Sequence, residues 1–131
     1  MEAYVRSVMM SVVAIFFVTA PASASDTEAG KKVFAACRAC HQIGEKAKNG
    51  VGPELNGLMG RHSGSVEGYN YSSANKDSGI VWDEETFRKY IKNPKAVIPG
   101  TKMIYAGLKD EQKISDLIAY LKQFDVNGKT H

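Results

Sequence analysis

The sequence predicts an all-α domain, with three main helices, some short helices and long loops between them. Three observations lead there. Apolar side chains recur at helical spacing in three stretches, each opened by a capping residue. No stretch alternates apolar and polar residues as a half-buried strand does. The remainder is broken by glycine and proline too often for regular structure.

Before the domain comes a leader. Val8 to Val18 form an apolar run, preceded by Arg6 and followed by Ala22-Ser23-Ala24. That is the layout of a secretory signal with a small-residue cleavage site. The run is shorter than the roughly 20 residues that span a bilayer, which favours cleavage over an anchor. Residues 1–24 are therefore expected to be a signal peptide and 25–131 one domain, exported to the periplasm. With 17 Lys and Arg against 14 Asp and Glu, the formal charge is +3, and loss of Glu2 and Arg6 leaves it there. So mild an excess argues against nucleic acid and suits encounter with acidic protein surfaces.

The first helix should run from about Asp26 to Cys37. Ser25-x-x-Glu28 reads as a capping box, and Ala29, Val33, Ala36 and Cys37 keep helical register. Gly30 inside it points either to close approach of another helix or to a tolerated surface glycine, and spacing alone does not separate the two. Gln42 to Gly60, with five glycines and Pro53, is loop, and Arg61 to Tyr71 continues irregularly. Ser72 to Ser78 is a short helix stopped by Gly79. Asp83 caps a helix with Glu84 and Glu85 in its first turn and a buried stripe of Phe87, Tyr90 and Ile91. Pro94 ends it and opens one further turn to Ile98. The last helix, from about Asp110 to Phe124, buries Ile114, Leu117, Ile118 and Leu121, and Gly128 with a polar tail ends the fold.

The chemistry is concentrated in Cys37-Arg38-Ala39-Cys40-His41. Two thiols three apart with an imidazole directly after is the spacing for covalent attachment of a c-type haem. On one turn both sulfurs reach the same porphyrin edge, and His41 faces the iron. The rivals are weaker. A thioredoxin-like dithiol calls for a βαβ pattern, which is missing. A structural zinc needs four ligands, and the chain has only these two cysteines. A plain disulfide leaves His41 without a role. In an oxidising compartment the cysteines would pair unless haem claimed them.

A second axial ligand is sought among Met59, Met103, His62, His131 and the lysines. Methionine opposite histidine raises the potential of a haem. Spacing alone leaves Met59 and Met103 level, since both lie in glycine-containing loops.

From Gly30 to Leu121 the chain resembles a class I cytochrome c of the mitochondrial and bacterial c2 type. The matching stretches are CRACH, GPELNGLMGR, YSSANKDSGIVW, NPKAVIPGTKMIYAG and DLIAYLK. The resemblance implies the small cytochrome c fold, wrapped around one covalent haem c. It implies that Cys37 and Cys40 hold the haem and that His41 and Met103 ligate its iron, with Met59 packing against the haem. The Pro53 carbonyl would take the Nδ1 proton of His41, and Tyr90 would hydrogen-bond the Met103 sulfur. Arg61, Tyr71, Asn75, Trp82 and Thr101 would meet the propionates. Gly30 and Phe34 would pack against Leu117 and Tyr120. Three positions depart from the pattern: Tyr105 stands where Phe is usual, Asn49 where a loop-bridging histidine is frequent, and Ala36 where a docking lysine is frequent, with Arg38 nearby to compensate.

The function implied is that of a soluble, monomeric one-electron carrier. It would run from a cytochrome bc1 complex to a terminal oxidase or photosynthetic reaction centre, and would not be an enzyme. Lys32, Arg38, Lys95, Lys102 and Lys109 would form its basic docking rim. An open-site haem enzyme and a haem-free dithiol or metal module are the competing functions.

Overall fold

The computed structural model describes residues 24–131. The expected leader, up to its cleavage site, lies outside the described residues apart from Ala24. Among the described residues five helices occur in order: α1 (Thr27–Phe34), α2 (Ser73–Lys76), α3 (Glu84–Lys92), α4 (Pro94–Val97) and α5 (Glu111–Lys122). A 3-10 turn, Cys37–Ala39, follows α1. Among the described residues there are no strands, only isolated bridges between His62 and Val81 and between Phe124 and Thr130.

The first helix is shorter than expected at both ends. Its cap is Asp26 rather than Ser25: the Asp26 carboxylate accepts from the Glu28 and Ala29 amides at 2.8 and 3.1 Å. The Asp26 amide is itself held by the buried Asp116 carboxylate of α5 at 2.8 Å, which fixes the residue in an extended conformation. At the other end the Ala35 and Ala36 amides turn to carbonyls three residues back, at 3.3 Å each, so the α-helix tightens before it reaches Cys37.

The other helices follow their sequence signals. Ser72 caps α2, Asp83 caps α3 and Asp110 caps α5, each accepting a backbone amide of the first turn. Asn93 ends α3, and its side chain caps α4, whose first residue is Pro94. The polar tail does more than end the chain. It folds back after Phe124, where Asp125 accepts from the Asn127 and Lys129 amides at 2.8 and 3.0 Å. Val126 then lies against Gly57, and Gly128 lies against Gly44.

Helix α1 crosses α5 at Gly30, where a Cβ would overlap the Asp116 carbonyl. The rings of Phe34 and Tyr120 pack 5.4 Å apart beside that crossing. Arg88 and Lys92 of α3 pair with Glu111, and Lys122 pairs with Glu84, so α3 is tied to α5 on its outer side. Phe34, Ile114 and Leu117 are the most deeply buried large side chains, and Phe34 and Leu117 also form the back wall of a cavity.

Candidate functional site

That cavity, of about 360 Å³, is walled chiefly by apolar side chains. Helix α1 and the 3-10 turn bring Cys37, Cys40 and His41 to it, and the 42–60 loop brings Pro53. Arg61, Tyr71, Asn75 and Trp82 come from the central segment, and Tyr90, Thr101 and Met103 from α3 and the strap after α4. All eleven site residues expected from the sequence thus line one space. Met59 does not line it. It packs on the hydrophobic cluster without lining the cavity, which corrects its expected contact with the haem. Of the two methionines level on spacing, only Met103 faces the site.

Both potential axial groups are held by neighbours. The His41 Nδ1 lies 2.7 Å from the Pro53 carbonyl oxygen, so the ring presents its other nitrogen away from that contact. Burial pushes the imidazole below its ordinary pKa; the bond to Pro53 partly opposes this, and the charge of Arg61 adds to the fall. The ring is therefore neutral, as a metal ligand must be. Gly52 lies against it so closely that any Cβ there would overlap the imidazole. The Met103 sulfur accepts from the Tyr90 hydroxyl at 3.3 Å, and the Met103 amide donates to Thr101 Oγ1 at 3.3 Å. Trp82 braces Tyr90 edge-on, with ring centroids 4.8 Å apart. Cys37 and Cys40 are not joined to each other, and burial, with the neighbouring Cys40, raises the pKa of the Cys37 thiol.

The polar end of the cavity is built around Arg61. Its Nη1 and Nη2 donate to the Asn56 and Glu54 carbonyls at 2.9 and 3.1 Å, and Glu54 pairs with it at 3.6 Å. The amide of Trp82 donates to the Arg61 carbonyl at 2.9 Å, which joins the two residues across the His62–Val81 bridge. Arg61 Nε and Ser63 Oγ are buried without a hydrogen-bond partner. Buried donors of this kind call for an acceptor. A carboxylate-bearing, otherwise apolar group fits such a wall: two thiols, an imidazole and a thioether around apolar side chains, with unpaired donors at one end.

Sequence reasoning missed Gly52, Ser63 and the exposed apolar pair Val51 and Ile104, which also line the cavity. Gly52 was legible only as a loop glycine, and Ser63 carried no signal. Asn49 makes a bridge between loops where the departure from the family pattern had put one in question. Its Oδ1 accepts from the Glu54 amide and its Nδ2 donates to the Glu67 carbonyl, both at 3.0 Å. Of the five rim cations only Lys102 reaches the cavity wall, and its ammonium donates to the Asn70 carbonyl at 2.8 Å. The Lys109 ammonium is bonded to the Lys92 carbonyl. Arg38 lies over the Phe34 ring, 6.0 Å from its centroid. Lys32 and Lys95 are exposed.

Fold and site together define a haem protein of the covalently attached, c type. Residues 27–125 match the family model described as Cytochrome c. The chain is 66% identical over 109 residues to cytochrome c2 of Blastochloris viridis, covering 83% of this chain and 86% of that protein. It is 62% identical over 104 residues to cytochrome c-550 of Nitrobacter winogradskyi, covering 79% and 95%. In three dimensions it is similar to cytochrome cH from Methylobacterium extorquens, with a TM-score of 0.71 and 45% identity over 75% of this chain and 98% of that one. The chain belongs to the cytochrome c family, carries a covalently bound haem c and is a cytochrome electron carrier.

Proposed function

We propose that the protein is a soluble periplasmic carrier of single electrons, in which Cys37 and Cys40 hold the haem and His41 and Met103 are its axial ligands. The observation that carries this reading is that His41 and Met103 line the same apolar cavity as both thiols, each already oriented by a hydrogen bond. The haem supplies a ferric–ferrous couple. Around it the chain's task is to keep geometry and charge nearly constant. Pro53 fixes the His41 ring, and Tyr90 with Thr101 fixes the Met103 strap. Arg61, Tyr71, Asn75, Trp82 and Thr101 receive the propionates, where fixed donors offset the cost of buried carboxylates. With His41 and Met103 both holding the iron, no position on the metal would be left for a substrate, and the protein would carry electrons rather than act as an enzyme.

The partners are a cytochrome bc1 complex as donor and a terminal oxidase or photosynthetic reaction centre as acceptor, met by a monomer. Relatives named cytochrome c2 and cytochrome c-550 support this place in a chain. The basic rim steers encounter with acidic faces. The leader is removed after Ala24.

The test is the visible spectrum of the oxidised protein. A weak far-red band from sulfur-to-iron charge transfer is expected, and it should vanish in Met103→Ala. Persistence of the band in that variant, or fast and tight cyanide binding by the parent, would overturn the ligation.

A further inference from the structure

We propose that Asn49 is a positioning residue for the His41 imidazole, acting through the Pro53–Glu54 peptide group. The inference rests on His41 being an axial ligand. The Pro53 carbonyl and the Glu54 amide are the two ends of one planar, resonance-coupled unit. The carbonyl oxygen takes the His41 Nδ1 contact at 2.7 Å. The amide at the other end donates to Asn49 Oδ1 at 3.0 Å. A hydrogen bond given by the N–H shifts electron density toward the oxygen, so each bond strengthens the other. Asn49 is anchored in turn by Nδ2, which donates to the Glu67 carbonyl at 3.0 Å.

The rest of the neighbourhood leaves this peptide little freedom to turn. The Glu54 carbonyl is held by Arg61 Nη2 at 3.1 Å, and the Glu54 carboxylate accepts from the Asn56 amide at 2.6 Å. The Tyr69 hydroxyl donates to the Val51 carbonyl at 2.7 Å, closing the 65–71 loop onto the same segment. Gly52 packs its backbone closely on the ring, and the hydrogen bond to Pro53 adds the one polar restraint on its orientation. A more polarised carbonyl draws the Nδ1 proton further and makes the imidazole a better donor, which favours ferric over ferrous iron. An asparagine does not titrate, so this influence holds constant with pH.

The experiment compares the parent holoprotein with Asn49→Ala and Asn49→Asp. The readouts are midpoint potential, the hyperfine-shifted proton NMR resonances of the His41 ring in the ferric state, and stability in denaturant. Asn49→Ala should raise the potential and move the His41 resonances. Asn49→Asp keeps an acceptor for the Glu54 amide but loses the donor to Glu67, so its potential should lie at or below that of the parent even though its stability falls. If Asn49→Ala loses stability while potential and His41 resonances stay at parental values, Asn49 is a loop brace and the inference is overturned. A potential raised equally in both variants would overturn it as well. A parent protein without a hyperfine-shifted His41 ring would overturn the axial-ligand reading itself, and this inference with it.

Discussion

Replacing Gly30 by alanine tests the helix crossing on which the site is mounted. A Cβ at this position would stand 2.6 Å from the Asp116 carbonyl carbon and 2.8 Å from Tyr120 Cβ. Carbon atoms pack at about 3.5–4.0 Å, so α1 and α5 must part by roughly 1 Å. Neither obstacle is the movable tip of a side chain: one is backbone and the other is fixed to it. The substitution gains about 1 kcal/mol of helix propensity. Against that stand an overpacking cost of about 1–3 kcal/mol, at its upper end here, and partial loss of the Phe34–Tyr120 contact, worth about 0.5–1.5 kcal/mol. The net loss is about 2–3 kcal/mol, which in a domain of this size lowers the melting temperature by about 10–20 °C. Thermal and denaturant unfolding followed by circular dichroism measures it. A Gly30→Ala protein as stable as its parent, or more so, would refute the reasoning, because propensity alone would then decide the position.

Three further outcomes are expected. Tyr90→Phe removes the donor to the Met103 sulfur, leaves the thioether a stronger donor to ferric iron, and should lower the midpoint potential by about 20–40 mV if that bond contributes about 0.5–1 kcal/mol; protein voltammetry reads the shift. Hydrogen bonds from the Thr86 amide and hydroxyl hold the Asp83 carboxylate below its ordinary pKa. Its contribution to stability is therefore present above the unfolded value near about 4 and is lost as pH falls through the lower folded value; Asp83→Asn should flatten that acid limb in denaturant titrations between neutral pH and acid. Electron-transfer rates with an acidic partner should fall steeply with added salt. In stopped-flow measurements Lys32→Gln should slow association more than Lys109→Gln, because the Lys109 ammonium is already engaged by the Lys92 carbonyl.

The helices and the haem motif were legible in the sequence because local signals and tertiary demands coincide there. Asp83, Pro94 and Asp110 mark helix ends through their own side chains, whatever lies around them. The start of α1 was misread because two capping residues compete, and the choice falls to Asp116, ninety positions away. The long loops were recognised only as irregular. Their hydrogen bonds join residues far apart in the chain, such as Asn49 to Glu67 and Tyr69 to Val51, and no local pattern announces such pairs. The two methionines show the same limit. Spacing gave them equal standing, and they are separated by which side of the strap and loop the backbone turns toward the cavity.

The cavity also bears on how the domain can fold. Phe34, Phe87, Ile91, Leu117 and Leu121 belong both to the buried core and to the cavity wall, so core and cofactor site are not separable layers. Stripping the haem would expose about 360 Å³ within that core. At about 24 cal/mol per Å³, a closed dry void of that size would cost roughly 9 kcal/mol, an upper bound for a cavity that opens to water at Val51 and Ile104. The whole stability of a typical domain is about 5–15 kcal/mol. Attachment at Cys37 and Cys40 is then a folding event as much as a chemical one. A Cys37→Ser, Cys40→Ser protein lacking haem should show little helix by circular dichroism and no cooperative unfolding transition. Native-like helix content with a sharp transition in that variant would mean that α1, α3 and α5 close on one another without the cofactor, and that the cavity is a preformed socket in an independent core.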